Sequence, residues 1–125
     1  MDKAEFRACV QESLDAVPEP FRQYLDTVDV VILAAPTRTM RREMRLKPRE
    51  VLYGLYDGVT VPERLRQAGG ASGILPSLIY LFRRAHLKDY PDPDELKAEI
   101  RRTLFHELAH HFGIDDDRLE ELGAY

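Results

Sequence analysis

Tryptophan is absent from this 125-residue chain, cysteine occurs once, and no apolar run is long enough to cross a bilayer. The lone Cys9 cannot form an internal disulfide, so a reducing compartment is the natural setting. It reads as a small buried apolar residue of the first helix. Without a second thiol, any metal site must be built from histidine and carboxylate. The longest apolar run, 28–36, is broken by Asp29. It falls far short of the ~20 residues a membrane helix needs. The first residues carry Asp2, Lys3, Glu5 and Arg7 with no apolar stretch behind them, unlike a secretory signal. A soluble, cytoplasmic protein with no membrane association is expected. Repeats, low-complexity tracts and a linker are also missing. The length fits one domain, 1–125.

Positive charge is in deficit overall. The net charge of −4 argues against a chain that coats nucleic acid or an anionic membrane. The cations are unevenly spread: Arg38, Arg41, Arg42, Arg45, Lys47 and Arg49 crowd one stretch. Such a run is most often a solvated helix or loop face; binding an acidic partner or RNA is the sharper reading.

Phe6, Cys9, Val10, Leu14 and Val17 recur at helical spacing, which predicts a helix over 3–16 ended by Pro18 and Pro20. Phe21, Tyr24 and Leu25 suggest one further helical turn. Strands are predicted over 28–35, 51–56 and 77–83, with Asp57-Gly58 as a turn and 62–73 as a loop. Asp92-Pro93-Asp94-Glu95 is a strong helix start, combining a capping side chain, a proline at the first turn and capping-box spacing. The helix is expected to run to Phe112, with Gly113 as a left-handed cap. A short terminal helix over 116–122 follows. Helix, strands and helix in this order predict an α+β domain.

The chemistry lies in the last third. His106 and His110 stand four apart on the predicted helix, so both imidazoles share one face and can reach one ion. Zinc takes imidazole nitrogen at about 2.0–2.1 Å, and catalytic sites use three protein ligands plus water. Glu107 occupies the place from which metallopeptidases draw the base for that water. Gly113 lets the chain reverse, and Asp116 then falls ten residues after His106. The pattern is His-Glu-x-x-His-x-x-Gly-x-x-Asp, in which a carboxylate is a sound third ligand for one Zn2+. Spacing selects Asp116, though Asp115 and Asp117 flank it. Three of the four histidines fall in this motif. A shuffled chain would reproduce the extended pattern roughly once in ten thousand tries, so a surface helix with stray histidines is a poor rival. His111 points about 100° away from His110 and is expected to pack rather than ligate.

Ser77 to Phe82 could be an edge strand that pairs with an extended peptide, or an ordinary core strand. Tyr80, Arg83 and His86 are candidates for holding an oxyanion, against the commoner roles of packing or solvation. Three functions compete. A zinc peptidase acting on a peptide or protein substrate would use Glu107 as general base. A metal-dependent endoribonuclease of similar size would use a related His-x-x-x-His-x-x-Gly-x-x-His site, whose motif lacks the glutamate present here. A metal-stabilised interaction module would need no catalysis.

The chain resembles the small bacterial zincin-like metallopeptidases, or minimal metalloproteases. The likeness is carried by VLYGLYDGVTVPER (51–64), LPSLIYLFRRAHL (75–87) and LKAEIRRTLFHELAHHFGIDDDRLEELG (96–123). It implies a compact zincin-like fold with a small mixed β-sheet packed on the motif helix. It also implies His106, His110 and Asp116 as zinc ligands and Glu107 as general base. The likeness does not extend to a Met-turn, since Met40 and Met44 precede the motif. Nor is a second, substrate-binding lobe expected.

Overall fold

In the computed structural model, residues 1–67, 74–115 and 117 are described. The N-terminal helix α1 (Lys3–Asp15) starts at a capping box: the Asp2 carboxylate accepts from the Glu5 N–H at 2.8 Å, and the Glu5 side chain accepts from the Asp2 N–H. Its buried face, with Phe6, Cys9 and Val10, packs on the long helix α5 (Pro93–Phe112). A 3-10 segment, Phe21–Thr27, leads into strand β1 (Val28–Leu33). Helix α2 (Arg38–Glu43) carries the basic run. Strand β2 (Gly54–Asp57), helix α3 (Val61–Arg66), strand β3 (Ser77–Phe82) and helix α4 (Arg83–Asp89) precede α5.

The sheet order is β1-β3-β2, with β1 parallel and β2 antiparallel to β3. The architecture is therefore α+β, with one small mixed sheet packed against the motif helix, as the sequence led us to expect. The core joins Phe6, Ile79, Leu81, Ile100, Leu104 and Leu108 between α1, the sheet and α5. Among the described residues, no helix is long and apolar enough to cross a membrane.

Several local expectations are corrected. Ser77–Phe82 is the central strand and is paired on both sides, so it offers no edge to a substrate. Its buried Ser77, Ile79, Leu81 and Phe82 fit a strand enclosed on both flanks. The described edges belong to β1 and β2. Strand β2 begins at Gly54, not Val51, because Val51 and Leu52 project past the ladder. Residues 62–66, the start of the expected 62–73 loop, belong instead to α3. Their helix signals are Pro62 in the first turn, Glu63 beside it, and the Thr60 hydroxyl bonded to the Glu63 carboxylate at 2.8 Å. Helix α4 follows β3 with no intervening loop and no side-chain cap. Tertiary contacts stabilise it: His86 is fully buried, with Nδ1 2.9 Å from the Phe82 carbonyl and Nε2 3.2 Å from Thr103 Oγ1. The expected terminal helix, 116–122, lies outside the described residues apart from Asp117.

Gly54 lets β2 lie directly on the motif helix. A Cβ there would meet Thr103 Cγ2 at 2.8 Å, the Tyr80 carbonyl at 3.2 Å and Glu107 Cγ at 3.4 Å. Thr103 is buried and its hydroxyl is bonded to His86, so its methyl has little freedom to yield. Gly54→Ala is expected to destabilise the fold by about 1–3 kcal/mol through overpacking. Thr103→Ser removes the obstructing methyl and keeps the hydroxyl. The double variant should recover part of the loss in urea unfolding; strict additivity of the two single changes would refute this contact.

Candidate metal centre

Helix α5 carries two faces. Leu96, Ile100, Leu104, Leu108 and His111 fall at spacings of four and three, and all are buried. The adjoining stripe, Glu99, Thr103, His106, Glu107 and His110, borders β2 and solvent. The helix starts where the sequence says: the Asp92 carboxylate accepts from the Glu95 N–H at 3.0 Å, with Pro93 in the first turn.

One turn of this stripe gathers the chemistry. The rings of His106 and His110 stand edge to face with centroids 4.6 Å apart. Their ligand nitrogens and a Glu107 oxygen all lie within 4.8 Å of one another. Glu107 Oε2 is 3.5 Å from His110 Nδ1. Tetrahedral ligands at about 2.1 Å from one ion lie about 3.4 Å apart. Two imidazoles one helical turn apart, with centroids 4.6 Å apart, can reach one ion at that spacing, and nitrogen donors completed by a carboxylate suit zinc. Glu107 keeps 12% of its side chain exposed and His110 keeps 38%, so water reaches both. His106 and Glu107 line a cleft of about 280 Å³ walled by Val51–Gly54, Glu99, Arg102 and Thr103.

Past the motif the chain turns as expected. Gly113 adopts φ 85°, ψ 22°, and Ile114 N–H bonds the Ala109 carbonyl at 2.8 Å. A Cβ on Gly113 would lie 2.5 Å from Pro62 Cγ, so α3 seats against this turn. Asp116 lies outside the described residues. Asp115 and Asp117 are exposed.

The remaining candidates take other roles. His86 is enclosed and held by two hydrogen bonds, so it offers no proton to an oxyanion. Tyr80 lines a different depression, beside Met40 and Leu55. Tyr53 does face the cleft, but its hydroxyl donates to Asp89, which with burial pushes its pKa up to about 12. His111 packs: Nδ1 is 2.7 Å from the Tyr56 hydroxyl and Nε2 is 2.7 Å from Thr27 Oγ1. Burial, aided by the charge of Arg64, lowers its pKa to about 4.

Sequence reasoning missed the supports beneath the motif. Arg64, only 3% exposed, donates to the Val59 and Leu75 carbonyls and to Ser77 Oγ, each at 2.9 Å. Ser77 Oγ in turn accepts from the Tyr56 hydroxyl at 3.0 Å. A polar chain thus runs from α3 through β3 and β2 to His111 on α5. Only the helix-start signal of Thr60 to Glu63 hinted that Arg64 would be placed inward.

The two buried histidines make stability depend on pH. Burial lowers the pKa of both His86 and His111 below the ordinary 6.5. As the pH falls below about 6.5 the unfolded chain takes up protons that the native state refuses. Stability is therefore full above that pH and declines towards pH 4. His111 alone accounts for a loss on the order of 3 kcal/mol. Urea unfolding in chelator between pH 7.5 and 4.5 checks this; a flat profile from 6.5 to 5 would contradict it.

A helix presenting His-Glu-x-x-His beside the edge of a small mixed sheet defines a zincin-like arrangement. The family model of zincin-like metallopeptidases matches residues 25–124, and the chain belongs to that family. Among solved structures it is similar to a conserved hypothetical protein from Thermus thermophilus. The two share 25% identity over 98% of this chain and 97% of the other, with a TM-score of 0.57. No curated protein matches the chain.

Proposed function

We propose that the protein is a zinc-dependent peptidase acting on a peptide or protein substrate. The observation that carries this reading is the convergence of His106, Glu107 and His110 donors within 4.8 Å beside an open cleft. His106 and His110 would hold the ion, with Asp116 as third ligand after the Gly113 turn. A bound zinc ion supplies Lewis acidity, polarising a carbonyl and acidifying water. Glu107 takes the proton from the attacking water and passes it to the leaving amine. Strand β2 is an edge strand against Glu107, and its open side can pair with an extended substrate. The family match does not favour the endoribonuclease alternative, and Glu107 is the residue that alternative lacks. A non-catalytic module would fill all four coordination positions with protein groups, whereas His106, His110 and Asp116 leave one open.

Zinc titration should give one ion per chain, with binding lost in His106→Ala. Cleavage of unstructured peptides should stop with chelator and return with zinc. Absence of zinc binding, or cleavage that ignores chelator, would refute the reading.

A further inference from the structure

The basic segment is not absorbed by the proposed chemistry, yet it lies next to it. Among the described residues, no carboxylate comes within ion-pair distance of Arg38, Arg41, Arg42, Arg45, Lys47, Arg49, Arg84 or Lys88, whereas Arg102 pairs with Glu99 at 2.9 Å. Arg41, Arg84 and Lys88 line one cleft of about 210 Å³ between α2, the end of β1 and α4. Two carboxylates, Glu50 and Asp89, share this wall; both accept from neutral donors and keep their charge, so three cations face two anions and the cleft is positive by one charge. Asp89 accepts from the Tyr53 hydroxyl, and Glu50 accepts from the Lys47 N–H at 3.4 Å. The Arg41 guanidinium fastens the Lys47 and Pro48 carbonyls, neutral acceptors that leave its charge uncompensated. Arg38 and Arg42 add to the field from the exposed face of α2.

This cleft and the metal-site cleft share a wall, Val51 and Leu52. An extended peptide advances about 3.3 Å per residue. A chain held at His106 and Glu107 and led past Leu52 crosses this shared wall to the cations. We propose that the Arg41–Arg84–Lys88 cleft is a substrate subsite that takes acidic side chains of a peptide a few residues from the bond placed at Glu107. The inference rests on the peptidase reading and names its substrate class. Peptide carboxylates suit the cleft better than RNA. It has side-chain dimensions, and its ring, Phe82, is fully buried, so it offers no stacking platform.

The test compares two labelled peptides with one core sequence, flanked by Glu-Glu or by Gln-Gln. Binding is read by anisotropy on zinc-loaded Glu107→Gln protein, with and without Arg84→Glu/Lys88→Glu. Both side chains are exposed, so the double variant should keep its melting temperature. The acidic peptide should bind about tenfold tighter than the neutral one at low salt. High salt should abolish the preference, and the double variant should cut it to within about twofold. Equal binding of both peptides, a preference that survives in the double variant, or tighter binding of a single-stranded RNA of equal charge would each overturn the subsite. kcat/KM on the same pair, with Glu107 intact, separates the two claims. A binding preference without cleavage sinks the peptidase reading and leaves the cleft as a binding site for acidic peptides. Cleavage that is indifferent to the flank sinks the subsite alone.

Discussion

Glu107→Gln should retain zinc and its melting temperature while losing about 10²–10⁴-fold in peptide cleavage. The amide matches the carboxylate in shape but cannot accept the proton of the attacking water. Its side chain sits beside His110 at the wall of the cleft, where the amide fills the same volume. Two measurements give the result its meaning. If zinc affinity falls with activity, Glu107 acts as a ligand and not as a base. If cleavage proceeds at the wild-type rate, a base at this position is excluded.

Arg64→Ala should cost about 2–4 kcal/mol of folding stability, a large share of what a domain this size possesses. The guanidinium is almost wholly buried and makes three hydrogen bonds at 2.9 Å to neutral acceptors. Removing it takes one donor from the Val59 carbonyl, which keeps the Ser77 hydroxyl at 2.9 Å, one from the Leu75 carbonyl, on an exposed residue that water reaches, and one from Ser77 Oγ. Each such loss costs about 0.5–1.5 kcal/mol. Arg64→Lys should recover only a fraction, because one ammonium lacks the planar fork that spans these acceptors. The urea midpoint is the readout, and a loss below about 1 kcal/mol would show that water replaces the guanidinium. Zinc affinity should weaken as well, since Pro62 on the same helix braces the Gly113 turn.

Much of the site is local and therefore readable. Helical periodicity alone places His106, Glu107 and His110 on one turn, and the Asp92 cap with Gly113 sets where that helix begins and ends. Capping depends on a few adjacent residues, so short-range pattern suffices. Strand order is different. SLIYLF reads equally well as an edge or a centre. Its central place follows from β1 joining it in parallel and β2 in antiparallel register, both long-range pairings. Helix α4 carried no start signal because His86 and Thr103, far apart in sequence, stabilise it.

The order of residues was enough to specify the chemistry: a metal-capable helical turn with an adjacent carboxylate, in a chain whose one thiol lies far from it. What surrounds that turn came from long-range packing. Packing set Gly54 against Thr103 and Glu107, buried Arg64 beneath the helix end, and laid the basic segment one wall away from the cleft. The division has a physical origin. Ligand spacing is a property of one helix, whereas cleft walls and buried polar chains arise only where segments distant in the chain exclude water together.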